Sequence, residues 1–312
     1  MENKFYHILP VFNYRVWGSD ALIKKYGYKS DLPNIGECYN VIAMPGHLDC
    51  DVAETGEKLS AFYHTHADLF DCEKPEMPVR AAMACTSDCM SVQVHPNDEY
   101  ALAHDGRLGK PDGVYFIETG EGATMELGHY AKTREEFEEK VNEGKWDELL
   151  RYIPIAAEQF VDVPYGTLHA FGAGLTLIEF TQNADLTYRL YDYNRIDPVL
   201  GTERELHTQK VLECVNVPNS EINLVDLKPV EKDGCIVTVF HSEPKVYSAG
   251  RIQVKEKGVY ERDEFYFIVG IDGECTIDGM PFKAGETILV PAHHGPLTIE
   301  GNVDLTYVTY EA

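Results

Sequence analysis

Short runs of β-branched and aromatic residues, each closed by Gly, Pro, Asn or Asp, recur along most of this chain of 312 residues. Such residues favour strands, because their side chains fit the pleated, half-buried surface of a sheet. Short strands separated by regular turns are typical of antiparallel sandwiches and barrels. The sequence therefore predicts a mainly β fold. The clearest strand candidates are ECYNVIAM, CMSVQVH, GVYFIE, EQFVDVP, LTLIEFTQ, LTYRLYDY, CIVTVF, EFYFIVG and TILVPA.

The segment FIVGIDGECTIDGMPFKAGETILVPA, near the C-terminus, shows this pattern most densely. It predicts four strands with turns at Asp272-Gly273, at Asp278-Gly279 and at KAGE, and Asp-Gly pairs suit tight hairpins. This is the pattern of a small barrel of the cupin or jelly-roll kind. A charged, less patterned stretch over about 215–234 precedes it.

We therefore expect two cupin-like or jelly-roll-like barrels with a small helical segment. Residues 1–230 would form a cupin-type domain that carries the functional site, with helices over about 131–153. Residues 231–312 would form a smaller β domain, with N-terminal strands as candidates to complete it. Thr133 and Glu136 make a capping box at the start of the helical segment. A shorter helix is predicted in SDALIKKYG, with Ser19 as N-cap.

The formal net charge of −25 would repel phosphate backbones, so we expect no nucleic-acid partner. An anionic substrate would need a few well-placed cations against this field. No stretch approaches the roughly 18 apolar residues of a membrane span, and the N-terminal sequence lacks the apolar core of a secretory signal. Eight scattered cysteines without a CxxC pair indicate reduced thiols. We expect a cytoplasmic protein that binds no membrane.

The stretch SVQVHP places Ser91, Gln93 and His95 on one face of a strand, with two valines on the other. The polar face would point either to solvent or into a barrel. A second stretch, VPYGTLHAFGAGLTLIEFTQ, places His169 after a turn and Glu179 in an otherwise apolar strand. A carboxylate there needs a partner, which could be a metal, a cation or a structural ion pair.

Two further stretches supply cations. In ADLTYRLYDYNR, Arg189 shares a strand face with Asp185, and Arg195 follows; each arginine could receive a phosphate or form a surface salt bridge. In GRLGKPDGVYFIE, Lys110 and Asp112 can face the same way, although a turn alone would explain them. Together, the glutamine, the two histidines and the carboxylates make a plausible mixed set for a divalent metal such as zinc.

These segments, in this order, resemble type I phosphomannose isomerase (mannose-6-phosphate isomerase) in its short bacterial form. The resemblance is carried by the SVQVHP strand, the GKPD turn, the PYGTLHAFGAG turn and the D-x-x-x-R strand. The segments RVWGSDAL, IGECYNV and FKAGETILVPA extend it over nearly the whole chain.

The resemblance implies a zinc-dependent aldose-ketose isomerase that interconverts mannose 6-phosphate and fructose 6-phosphate through an enediol(ate). One zinc ion per chain and a small sugar phosphate are the implied ligands. For proton transfer the resemblance favours Glu179, with Lys110 or a zinc-bound water as alternatives. The implied metal ligands are Gln93, His95, Asp112 and His169; the implied catalytic residues are Arg189, Glu179 and Lys110; the implied phosphate contacts are Ser91, Arg195 and Lys110.

Two departures from the family pattern bear on this expectation. Asp112 stands where the family has a glutamate ligand, one methylene longer. The segment VRAAMACTSDCM replaces a run that usually carries a lysine and an aspartate, and Arg80 is a candidate replacement for the lysine. Two alternatives therefore stay open: a related sugar-phosphate enzyme of altered specificity, and a non-catalytic, cupin-like sugar-binding or regulatory protein.

Overall fold

The computed structural model describes residues 5–221 and 224–312. Residues 1–4, at the start of the predicted first domain, and residues 222–223, within the 215–234 stretch, lie outside the described residues. The strands are β1 Tyr6–Leu9, β2 Val11–Asn13, β3 Glu37–Val41, β4 Asp51–Val52, β5 Val79–Thr86, β6 Val92–Val94, β7 Asp112–Thr119, β8 Thr124–His129, β9 Leu150–Pro154, β10 Phe160–Val163, β11 His169–Phe171, β12 Leu175–Gln182, β13 Tyr188–Tyr191, β14 Ile196–Asp197, β15 Thr202–Glu203, β16 Val230–Lys232, β17 Cys235–Glu243, β18 Tyr247–Val254, β19 Lys257–Tyr260, β20 Tyr266–Ile277, β21 Met280–Lys283, β22 Thr287–Val290 and β23 Leu297–Thr309. The helices are α1 Ala21–Tyr26, α2 Leu59–Thr65, α3 Asp98–Asp105, α4 Arg134–Asn142, α5 Trp146–Leu149 and α6 Thr208–Cys214, with a 3-10 turn at Ala67–Leu69.

The strands form three large antiparallel sheets. Sheet I has the order β10-β7-β12-β5-β3-β2, and sheet II has the order β13-β6-β11-β8-β9. Sheet III runs β16-β17-β18-β23-β20-β22-β1-β4, with β19 paired to β23 and β21 paired to β20. The predicted fold class, mainly β with cupin-like barrels and a small helical segment, is confirmed.

Sheets I and II pack face to face around an apolar core, in which Val114 and Leu177 of sheet I meet Leu127 of sheet II. Alternate residues of a strand share a face. Asp112 precedes Val114 by two residues and Glu179 follows Leu177 by two, so both carboxylates face the same interior. The apolar core therefore fills one end of this interior, and polar side chains occupy the other end.

Sheet III surrounds a second apolar core that contains Ile252, Ile268 and Leu305. Its other face packs against sheet I in a separate cluster. Strand β1 belongs to sheet III, where Tyr6 lies opposite Leu289 of β22, and it also pairs with β4. The first described strand is thus built into the sheet of the C-terminal region. The division into two domains at about residue 230 stays a prediction.

Helices α4, α5 and α6 cover the outer face of sheet II, where Phe137 and Val211 pack with Val92 and Val94. The predicted helical segment over 131–153 is wrong at its end. Helix α5 stops at Leu149, and the next five residues form β9, which pairs with β8. Pairing at the sheet edge here outweighs the helical pattern. None of the helices in the described part of the chain is long and apolar enough to cross a membrane.

Helix capping agrees with the sequence at α4 and differs from the prediction at α1. The Thr133 hydroxyl accepts a hydrogen bond from the backbone N–H of Glu136 at 3.2 Å, which is one half of the predicted capping box. The Glu136 carboxylate accepts from the backbone N–H of Lys132 and not from that of Thr133. At α1, however, Asp20 holds the N-cap position, and the Ser19 hydroxyl instead accepts from the backbone N–H of Ala21. Asn97 caps α3 by accepting from the backbone N–H of Tyr100.

One predicted hairpin is absent. Asp278 and Gly279 have φ values of 49° and 82° and form the tight turn between β20 and β21. Strand β20, by contrast, continues through Asp272 and Gly273, with a bulge just before Asp272. Gly273 allows the close approach of two strands, because a Cβ there would lie 2.2 Å from the carbonyl oxygen of Asn302 on the neighbouring strand.

Candidate active site

Two histidines and an aspartate meet at the polar end of the interior between sheets I and II. One ligand atom from each of His95, Asp112 and His169 lies within 4.8 Å of the other two, and all three residues are buried. Asp112 Oδ2 is 3.1 Å from His95 Nε2 and 3.9 Å from His169 Nε2. The residues come from three strands, since His95 follows β6, Asp112 opens β7 and His169 opens β11.

Both imidazoles are oriented by the backbone. His95 Nδ1 donates to the carbonyl of Leu186 at 2.8 Å, and His169 Nδ1 donates to the carbonyl of Thr167 at 3.0 Å. Because a carbonyl only accepts, the proton is on Nδ1 and the Nε2 lone pair faces the site. Burial, followed by the charge of His95, lowers the pKa of His169 to about 3. Burial and the Lys110 ammonium lower the pKa of His95.

Asp112 completes this donor set as a carboxylate. Burial opposes its ionisation, but the Lys110 ammonium and His95 hold its pKa well below its usual range. Among the described residues, Asp112 Oδ1 and His169 Nε2 have no hydrogen-bond partner although both atoms are buried. Unpaired buried polar atoms are uncommon in native structures. Two imidazole nitrogens and a carboxylate oxygen around one point are donors that fit a divalent metal ion.

Gln93, the fourth predicted ligand, lies next to this set. Its backbone is in register with His169 on one side and with Arg189 on the other. Because directly opposed residues of an antiparallel pair share a face, the side chains of Gln93, His169 and Arg189 project from the same face of sheet II. Gln93 also lines the cavity that opens beside the donor set.

Glu179 and Lys110 form the wall between the donor set and this cavity. Lys110 Nζ donates to Asp112 Oδ2 at 2.6 Å and lies 3.8 Å from Glu179 Oε2. Burial raises the pKa of Glu179 to about 7, while Lys110 and Arg80 act in the opposite direction. A buried carboxyl group that titrates near neutral pH can both accept and return a proton.

Arg80 is buried behind Glu179. Its Nη2 lies 3.6 Å from Glu179 and 3.8 Å from both Glu37 and Asp185. Its guanidinium also stacks over the Tyr39 ring, 4.8 Å from the centroid. The candidate replacement for the family's lysine therefore lies among three carboxylates, with its positive charge shielded from solvent.

The cavity beside the donor set has a volume of about 210 Å³. Gln93, Lys110 and Glu179 lie on its wall near the donor set, and the lining also includes Arg15, Trp17, Glu37, Met90, Ser91, Asp185, Leu186, Thr187, Arg189 and Arg204. Arg189 Nε donates to the Ser91 hydroxyl at 3.2 Å. Burial and then the charge of Arg204 lower the pKa of Arg189 to about 10, so it remains a cation at neutral pH.

Arg195 does not line this cavity. It donates to Asp88 at 3.0 Å and to the carbonyl of Cys89 at 2.6 Å, and it pairs with Asp192 at 2.5 Å. Arg204 reaches the same Asp192 carboxylate with two hydrogen bonds of 2.6 and 2.7 Å. Asp192 therefore links Arg204, which lines the cavity, to Arg195, which does not.

Sequence reasoning missed Arg204 and assigned no role to Arg15. Arg15 pairs with Glu37 at 2.6 Å, and both residues lie in the family-like segments RVWG and IGECYNV. The family-like segments could therefore have indicated a role for Arg15. Arg204 comes directly after the short strand β15, and no periodic pattern marks it.

Comparisons with known proteins agree with this geometry. The chain is 36% identical over 305 residues to mannose-6-phosphate isomerase ManA of Bacillus subtilis (strain 168), covering 94% of each sequence. It is 32% identical over 305 residues to the probable mannose-6-phosphate isomerase GmuF of the same organism, covering 95% of this chain and 96% of that protein. No family model matches the chain.

Solved structures show the same likeness. The crystal structure of mannose 6-phosphate isomerase from Bacillus subtilis superposes with a TM-score of 0.91 at 30% identity, covering 97% of this chain and 99% of that one. A mannose 6-phosphate isomerase bound with zinc and yttrium gives a TM-score of 0.78 at 13% identity, covering 99% and 100%. The second match shows a shared fold.

Proposed function

This chain belongs to the mannose-6-phosphate isomerase family, and we propose that it interconverts mannose 6-phosphate and fructose 6-phosphate in the cavity between sheets I and II. Its class of activity is that of an isomerase, an intramolecular oxidoreductase. One observation carries the proposal: the ligand atoms of His95, Asp112 and His169 converge within 4.8 Å of one another. They do so beside a cavity lined by a carboxyl group and several cations.

One zinc ion per chain is the proposed cofactor, held by His95, Asp112, His169 and Gln93. The two neutral imidazoles, the carboxylate and the amide oxygen are donors that zinc accepts. The position of Asp112 supports this role despite its shorter side chain, because its Oδ2 lies 3.1 Å from His95 Nε2 and 3.9 Å from His169 Nε2. Zinc bound there would supply a Lewis acid that polarises a sugar oxygen.

Glu179 is the proposed proton-transferring group. Isomerisation moves a proton between C2 and C1 of the sugar, and the proton leaves from carbon α to a carbonyl. Glu179 lines the cavity, and burial brings its pKa to about 7, so that its two protonation states are both populated near neutral pH. General bases with such a pKa take a proton and return it efficiently. Lys110 Nζ lies 3.8 Å from Glu179 Oε2 and acts to lower the pKa of Glu179.

Arg189 is the proposed stabiliser of the enediolate. Removing the proton leaves negative charge on the sugar oxygens, and a fixed cation lowers the free energy of that charge most when it is already in place. The Arg189 guanidinium is held by the Ser91 hydroxyl at 3.2 Å and by the carbonyl of Glu205 at 2.8 Å. It therefore needs little reorganisation when the charge forms.

Arg15, Arg204 and Ser91 are the proposed contacts of the substrate phosphate, because all three line the cavity. They supply binding energy remote from the reacting carbons, which fixes the position of the sugar. Arg195 was expected to contact the phosphate. In this proposal it acts instead through Asp192, the carboxylate that it shares with Arg204.

The proposal is tested by measuring bound zinc in the purified protein and following fructose 6-phosphate formation from mannose 6-phosphate. Chelation should abolish turnover, and added zinc should restore it. Asp112→Asn should lose both zinc and activity, whereas Glu121→Gln, at an exposed turn, should keep both. Full turnover without a divalent metal would overturn the role of the cofactor. Turnover of another aldose 6-phosphate in preference to mannose 6-phosphate would overturn the proposed substrate.

A further inference from the structure

A second and larger cavity, of about 490 Å³, lies next to the active-site cavity. It lies where the loops that precede β5 and follow β3, α3 and β12 meet the turn between β17 and β18. Its apolar lining is formed by Met44, Pro45, Pro75, Met77, Pro78, Leu108 and Val246. An apolar concave surface of this size holds the body of a small organic molecule.

Three cations border this apolar surface: Lys74, Arg107 and Lys245. Among the residues that the structure describes, none of the three forms an ion pair, and the Lys74 ammonium lies 5.3 Å from the Tyr310 ring centroid. Lys245 adopts a φ of 68°, a conformation that is unfavourable for a residue with a Cβ. Three cations without an ion-pair partner are thus grouped at one cavity of a protein with a net charge of −25, where they can attract an anionic group.

The carboxylates at this cavity already have partners. Asp185 contacts His47 at 3.1 Å and Arg80 at 3.8 Å, and Glu76 lies 3.4 Å from His64. Arg80 is the cation beside Asp185, and the Glu76 side chain is largely exposed to solvent. The three cations outnumber the two carboxylates in the lining of this cavity.

The wall between the two cavities is the segment 183–187, and Asp185 lines both. Asn183 anchors one end of this wall through two hydrogen bonds with the backbone of Ala43, of 3.2 and 2.9 Å. At the other end, the carbonyl of Leu186 accepts from His95 Nδ1 at 2.8 Å. A molecule in the larger cavity thus contacts the segment that orients an imidazole of the active site.

We propose that the larger cavity binds a small amphipathic organic anion, with its apolar body on the Met-Pro surface and its anionic group at Lys74, Arg107 and Lys245. Through the segment 183–187, the bound anion changes turnover at the neighbouring site. The cavity is an effector site and not an extension of the substrate site, because the wall and its Asp185 contacts separate the two.

The test uses the zinc-loaded protein and the fluorescent probe 8-anilinonaphthalene-1-sulfonate, which joins a flat apolar body to one anionic group. A fluorescence titration should give saturable binding. The combined variant Lys74→Gln, Arg107→Gln, Lys245→Gln should weaken it about tenfold or more, as expected when charge-assisted contacts are lost.

The matched control replaces three exposed lysines that lie away from the cavity, as Lys29→Gln, Lys232→Gln and Lys255→Gln. It changes the net charge equally and should leave probe binding unchanged. Equal weakening in both variants would show a general charge effect and would overturn the site. Displacement of the probe by mannose 6-phosphate at concentrations near its KM would also overturn it, because the cavity would then belong to the substrate.

Steady-state kinetics measure the coupling between the larger cavity and the active site. Saturating probe should change kcat/KM of the unsubstituted protein by about fivefold or more, a typical size for coupling between two sites. The variant at the three cations should show normal kcat/KM and no response to the probe. An unchanged rate at full occupancy would overturn the regulatory part of the proposal. These binding results do not depend on which sugar phosphate the enzyme isomerises.

Discussion

The Lys110 ammonium lies 2.6 Å from Asp112 Oδ2 and 3.4 Å from His95 Nε2. A positive charge therefore borders the donor set that is proposed to bind a divalent cation. The same ammonium holds Asp112 in its carboxylate form and lies 3.8 Å from Glu179. Lys110 thus repels a cation at the proposed metal site, whereas it stabilises the carboxylate form of Glu179.

Lys110→Met should separate these effects. Removing a like charge from the edge of the site should raise zinc affinity by about tenfold, because the repulsion between two cations is strong in a buried site. Turnover should nevertheless fall by about 10²-fold or more. Without the Lys110 cation the pKa of Glu179 rises, so less of this residue is present as the carboxylate that accepts the proton. Competition with a fluorescent zinc chelator and steady-state kinetics measure the two quantities. Zinc binding that becomes weaker would contradict this account of Lys110.

The pH dependence of kcat/KM should report Glu179. Its raised pKa of about 7 means that the carboxylate form is lost as the pH falls through 7, so activity should fall on the acid side. Glu179→Gln should lower kcat by about 10²- to 10⁴-fold, the usual contribution of a general base. It should also remove that acid limb from the residual activity. An unchanged acid limb in the variant would assign the titrating group elsewhere.

Arg80→Met should shift the acid limb of the activity profile to higher pH, because Arg80 is one of the groups that lower the pKa of Glu179. The free energy of unfolding should also fall by about 3–5 kcal/mol, since three carboxylates lose a buried cation. Arg80→Lys keeps the charge and should give a smaller pH shift. Denaturant titration and pH–rate profiles test both effects. Coinciding profiles for all three proteins would exclude an influence of Arg80 on Glu179.

Arg204→Gln should weaken competitive inhibition by inorganic phosphate and raise the KM for mannose 6-phosphate. Loss of a charged hydrogen bond corresponds to about tenfold or more in each constant. The control Arg151→Gln removes a cation that lies outside the cavity and should change neither constant. Arg195→Gln is the informative comparison. A larger effect there than at Arg204 would restore Arg195 as the direct phosphate contact.

Glu126 is buried on β8, and among the described residues neither of its carboxylate oxygens has a hydrogen-bond partner. Burial raises its pKa well above the usual range. Its folded pKa exceeds the unfolded value, so the associated stability is present below about pH 4.3 and is lost as the pH rises. Glu126→Gln should therefore gain about 1–3 kcal/mol in free energy of unfolding at pH 8 relative to the unsubstituted protein. Denaturant titrations at pH 5 and pH 8, with Glu121→Gln as control, measure the free energy of unfolding at each pH. An equal gain for Glu126→Gln at both pH values would show that ionisation of Glu126 does not affect stability.

The strand faces that carry the candidate donors could be predicted, because alternation along a strand is local. Alternation in SVQVHP places Gln93 and His95 on one face, and this requires only the two-residue period of a strand. The same period aligns Glu179 with the interior through Leu177. The family resemblance then supplied the association between strands that are distant in sequence.

The position of Arg204, a proposed contact of the phosphate, could not be predicted in this way. Arg204 reaches the cavity from the end of a two-residue strand, and its approach depends on Asp192, which also pairs with Arg195. The strand predicted across ADLTYRLYDYNR begins only at Tyr188, although Asp185, Thr187 and Arg189 line the same cavity. Residues 183–187 are a wall between cavities, and their position is set by tertiary contacts that no local period encodes.

Strand β1 pairs with β22, so residues 6–9 find this partner only after residues 287–290 have been synthesised. The emerging polypeptide must therefore keep this edge unpaired on the ribosome until residues 287–290 appear. A fragment limited to residues 231–312 would expose an open edge at β22, where a second molecule could add its own strand. The late pairing of β1 with β22 joins segments that are far apart in sequence into one sheet.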